Sequence, residues 1–82
     1  MKPRRRTDLE RWMREYRYSD PVFAARVSKE LKSTFKRKGV TASAVVKWRL
    51  GTSIPRREAI IVIENITDGT VTAASFVHAE RP

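Results

Sequence analysis

Residues 39–55 carry the pattern best suited to recognition chemistry. Thr41 is a polar residue able to cap a helix start, Gly39 stands just before it, and Gly51 suits the helix end. Between them a helix from Ala42 to Leu50 places Ala44, Val45 and Trp48 on one side. Ala42, Ser43, Val46, Lys47 and Leu50 point away. Val45 and Trp48 would hold the inner side to a domain, leaving the opposite side free. Small residues at the helix start allow close approach to a duplex, and the outer side chains can reach base edges in the major groove.

The rest of the chain must position that helix. Thr7 followed by Glu10 matches a capping box, and Leu9, Trp12, Met13 and Tyr16 follow at amphipathic spacing, so a first helix is expected from Thr7 or Asp8. Trp12 reads as a core anchor. Ser19-Asp20-Pro21 opens a second helix, with Val22, Phe23, Ala24 and Val27 apolar and Leu31 and Phe35 continuing the face. Good helix formers with no breaker before Gly39 predict one long basic helix from Asp20 to Arg37, capped at Gly39. Pro55 opens a fourth helix through Ile60, Ile61, Val62, Ile63 and Ile66, stopping at Asp68-Gly69. The expectation is an all-α domain of about four helices over residues 7–69. Residues 1–6 form a flexible basic arm. Residues 70–82 form a tail, either a short strand or a turn that Thr72 caps and Phe76 packs.

Charge narrows the partner. Eighteen Lys and Arg oppose nine Asp and Glu, a formal net charge of +9 in 82 residues. A field of that sign draws polyanions: nucleic acid first, an anionic membrane surface second. RNA binding through the basic second helix has little support, because Phe35 is the one aromatic among those lysines and its spacing from Leu31 says core. Arg4, Arg5 and Arg6 could lie along phosphates or in a minor groove, or serve only as a solubilising tail.

Residues 39–55 resemble the Cro/repressor-type helix-turn-helix family of phage and bacterial regulators. Gly39-Val40-Thr41, Ala44-Val45, Trp48, Gly51 and Ile54-Pro55 carry the likeness. Residues 19–27 resemble the first helix of that motif, and residues 63–72 its ending, so the likeness covers roughly residues 9–76. Lys29 to Gly39 departs from it as an insertion of eleven residues, about three helical turns, which would add a cationic face.

The resemblance implies base contacts from Ala42, Ser43, Val46 and Lys47, with Thr41 near a phosphate. Lys47 would donate to guanine O6 or N7, and Val46 would touch a thymine methyl. A solvated lysine and a partly buried valine are the plainer readings. Phosphate contacts are expected from Lys36, Arg37 and Lys38 on the added face, from Arg49 at the edge of the recognition face, and from Arg56 and Arg57.

Residues 59–63 are apolar without a gap, so the fourth helix is apolar nearly all round. A homodimer through Ile61, Val62 and Phe76 accounts for this and doubles the base pairs read. A fully enclosed core helix is the other account.

Several classes drop out. The chain has no cysteine, which fits a reducing compartment and removes Cys-based zinc sites. The single histidine, His78, reads as a solvated side chain without a second ligand. No phosphate-binding glycine loop and no nucleophile paired with a base are visible, so neither an enzyme nor a cofactor is expected. No apolar run is long enough to span a membrane, and none follows the basic N-terminus as a secretory signal would require. The expected role is a cytoplasmic, nucleoid-associated regulator, repressor or activator, reading double-stranded DNA as a homodimer. The alternative is an antitoxin or phage accessory factor whose fourth helix and tail hold a protein partner, with DNA binding secondary.

Overall fold

The computed structural model describes residues 7–80, with side chains through residue 76. It contains five α-helices in the order α1 (Asp8–Glu15), α2 (Asp20–Phe35), α3 (Ala42–Leu50), α4 (Arg57–Ile66) and α5 (Ala73–Glu80), and no strand among the described residues. The basic arm with Arg4, Arg5 and Arg6 lies outside the described residues, as does the His78 side chain.

The capping box at the start of α1 forms on one side. The Thr7 hydroxyl accepts from the Glu10 N–H at 3.0 Å and donates to the Arg49 carbonyl at 2.6 Å, so one side chain caps α1 and fastens it to the end of α3. Leu9, Trp12 and Met13 are buried as their spacing predicts. Tyr16 is not: it follows the last turn and stays exposed, its ring lying against Trp12 with centroids 4.7 Å apart. Tyr18 stacks on the same indole, and Phe23 meets both edge-on.

Helix α2 buries Phe23, Val27 and Leu31, with Phe35 half-buried one turn further. This every-fourth-residue stripe packs α2 against both α3 and α4. The helix stops two residues earlier than the sequence predicts. Lys36 turns left-handed at φ 57°, and the Arg37 N–H closes on the Leu31 carbonyl at 3.1 Å. Gly39 is therefore not the cap residue, and its φ is not positive. Its role is close packing. A Cβ placed on Gly39 would fall 2.6 Å from the Ser28 Oγ.

Helix α3 has the predicted bounds. Thr41 accepts from the Ala44 N–H at 3.1 Å, and Gly51 ends the helix at φ 80°. Pro55 is buried before α4, with Arg56 at the cap position and Arg57 first in the helix. The end of α4 is organised by Thr67, the one buried polar residue described. Its hydroxyl donates to the Ile63 carbonyl at 2.8 Å and accepts from the Val71 N–H at 3.1 Å.

The tail corrects the expectation of a strand, since residues 73–80 form a helix, and it extends the alternative of a short turn at Thr72 that packs Phe76. The β-branched run of Thr70, Val71 and Thr72 is the misleading signal. Val71 is a fully buried plug, and Thr72 and Ser75 close the first turn of α5 through two hydrogen bonds. Phe76 then packs back into the core.

Candidate nucleic-acid interface

Burial of Val45 and Trp48 orients α3. Both lie in the core cluster, and the exposed residues are Thr41 at the start and Ser43, Lys47 and Leu50 along the outer side. Ala42 and Val46 are half-buried on one flank and Ala44 on the other, so the four residues assigned to base edges are not equally presented. Ser43 and Lys47, one turn apart, project fully. Ala42 offers little beyond backbone approach, and Val46 presents only part of its side chain.

Arg49, expected at a phosphate, has partners within the chain. Its guanidinium makes two hydrogen bonds to Asp20, Nε to Oδ1 at 3.0 Å and an Nη to Oδ2 at 3.2 Å, and a further nitrogen lies 3.9 Å from Glu10. Only 25% of its side-chain surface is open. The hydrogen bond to Asp20, with the charges of Asp20 and Glu10, pushes its pKa further up against partial desolvation. Arg49 thus ties α1, α2 and α3 together, and its guanidinium is engaged by Asp20 and Glu10. Its partner stands 29 residues away, beyond any local pattern.

The six-residue connection between α2 and α3 is held by Ser28, which the sequence reading passed over. The Ser28 Oγ accepts from the Val40 N–H at 2.8 Å and donates to the Val40 carbonyl at 3.2 Å. One signal for it existed: Ser28 is a polar residue in helical register with Ala24, Leu31 and Phe35. With Gly39 pressed on Ser28, the chain folds back along α2, and Lys36, Arg37 and Lys38 stand exposed just ahead of Thr41.

These three residues line a cleft of about 770 Å³. Arg56, Glu58 and Trp48 also line it. Lys36, Lys38, Lys47, Arg56 and Arg57 are exposed and form no ion pair with another described residue. Arg37 differs, since it lies 3.3 Å from Glu58. The charge is concentrated here. Residues 29–57 hold nine Lys or Arg against one acidic residue, whereas residues 58–82 hold one against four. A segment of that sign attracts polyanions.

The dimer assignment also needs correction. Val62 and Phe76 are 2% and 3% exposed, packed in the core of their own chain, so neither can meet a second copy in this fold. Ile61, 37% exposed, is the one of the three that faces outward. Helix α4 is thus enclosed along Ala59, Val62 and Ile63 and open along Ile61.

Among the described residues no group of three or more His, Cys, Asp or Glu could hold a metal. No described helix is long and apolar enough to cross a membrane. In comparisons with known proteins, no protein-family model, no curated protein and no solved structure matches the chain.

Proposed function

We propose that this chain is a sequence-specific double-stranded DNA-binding regulator that inserts the outer face of α3 into the major groove. The observation that carries the reading is the division of α3. Val45 and Trp48 are buried on one side, and Ser43 and Lys47 are exposed on the other, with Lys36, Lys38, Arg56 and Arg57 forming no ion pair among the described residues. A helix of nine residues with a polar outer face and small residues at its start has the dimensions the groove admits.

In this reading α2 and α3 act as a helix-turn-helix with a lengthened connection. Lys47 and Ser43 read base edges. Thr41, Lys36, Lys38, Arg56 and Arg57 meet phosphates, which supply affinity without sequence information. Two copies bind as a homodimer with Ile61 at or near the contact, since one α3 reads too few base pairs to define a site. A repressor or activator of the phage and bacterial regulator type, acting at the nucleoid, is the role that follows.

Selection of duplexes from a random pool, followed by titration, tests this. The expected result is one enriched motif bound about a thousandfold or more above random duplex at physiological salt. Equal affinity for every duplex would refute it. A second reading, an antitoxin or phage accessory factor that holds a protein partner, draws on the exposure of Ile61. It predicts a stable heteromer on purification in which duplex DNA gains no protection.

A further inference from the structure

Among the described residues the cationic cleft has one acidic lining residue, Glu58 in the first turn of α4, which faces Arg37 at 3.3 Å. Lys36, Lys38 and Arg56 line the same cleft with no ion-pair partner among the described residues. Four cations converge on one surface, and one of them is neutralised from within. The pair is held in solvent, with 60% of the Arg37 side chain and 29% of the Glu58 side chain open, so an incoming anion can displace the carboxylate at little cost.

We infer that Glu58 is an internal stand-in for a phosphate: it withholds Arg37 from loosely held DNA and releases it only when α3 is seated. The inference rests on the DNA-binding reading. Binding to random duplex is a count of phosphates neutralised, and a cation already neutralised internally adds nothing to that count. Ala44, half-buried on the flank of α3, also lines the cleft, so the cleft borders the helix that a duplex would contact. There a phosphate competes with the carboxylate at close range. Glu58 thereby penalises the wrong complex more than the right one, a repulsive element that raises specificity.

The test uses the full chain and a short duplex of mixed sequence, titrated by fluorescence anisotropy across a salt series. Glu58→Gln, which keeps the shape and removes the charge, is expected to bind about two- to fivefold tighter. Its log–log salt slope should steepen by about one unit. Adding Arg37→Gln to that variant should return the slope to the wild-type value. A Glu58→Gln slope equal to that of wild type overturns the stand-in role while leaving DNA binding intact. If wild type itself shows no salt-dependent binding to duplex, the DNA reading falls and this inference falls with it.

Discussion

Gly39 and Ser28 approach so closely that a methyl group on Gly39 would lie 2.6 Å from the Ser28 Oγ and 2.7 Å from its Cβ. The same hydroxyl bonds both the N–H and the carbonyl of Val40. The turn that delivers the chain to α3 is thus fixed by one small polar residue about midway along α2, and by the absence of a side chain opposite it. This contact sets where three consecutive cations stand relative to Thr41.

Gly39→Ala should therefore destabilise the fold by about 1–3 kcal/mol, the usual cost of forcing a methyl into filled space. Ser28→Ala should cost about 1–2 kcal/mol, because it leaves the Val40 N–H without its acceptor. Ser28→Ala should not rescue Gly39→Ala, since the Cβ remains in the way. Urea-unfolding midpoints at unchanged m-value would check all three statements.

Arg49 and Asp20 should behave as a coupled pair. Hydrogen bonds to charged groups contribute about 1.5–3 kcal/mol when shielded, and the partial exposure here argues for the lower end. Arg49→Met and Asp20→Asn should each destabilise, and the double variant should lose less than the two together. The Arg49 pKa is raised in the folded state, so its contribution is complete below the ordinary guanidinium range and is lost only as pH rises through the folded value. Added salt, not neutral-range pH, should weaken the tie. Strict additivity of the two single variants would contradict the pairing.

The two neighbours Ile61 and Val62 should respond oppositely to the same change. Val62→Arg places a charge in a closed core and should prevent folding. Ile61→Arg should change stability by no more than about 0.5 kcal/mol. If two copies pair as proposed, wild type should sediment as a dimer and Ile61→Arg at monomer mass. A wild-type profile for that variant would remove Ile61 from the interface.

Lys47 and Lys36 should separate reading from holding. Lys47→Ala should flatten base preference at one position of the site, at a cost of about 1–3 kcal/mol there. Lys36→Ala should weaken all duplexes alike and reduce the salt slope by about one unit. Identical behaviour of the two variants would refute separate roles.

Local pattern made α1, α3 and most of α2 and α4 legible, because capping by Thr7 and Thr41 and the Phe23, Val27 and Leu31 stripe are nearest-neighbour chemistry. The outer position of Ser43 and Lys47 followed from the same helical period. What was not legible depends on distance. The left-handed Lys36 is a position that composition assigns more readily to Gly39, and Gly39 is needed for Ser28 instead. Arg49 looks like any edge arginine until Asp20 is brought beside it. The β-branched residues of the tail gave a strand signal, but Val71 serves as a core plug and α5 follows directly. Which side of the apolar α4 is open depends on how α2 covers it, which no periodicity contains.

The central claim is that Ser43 and Lys47 meet nucleobases. The most direct measurement is amide chemical-shift mapping of the chain titrated with its selected duplex. The account predicts the largest changes across residues 41–50, centred on Ser43 and Lys47, with smaller salt-sensitive changes at Lys36 and Lys38. Saturable binding that leaves Ser43 and Lys47 unshifted while other surfaces respond would contradict it.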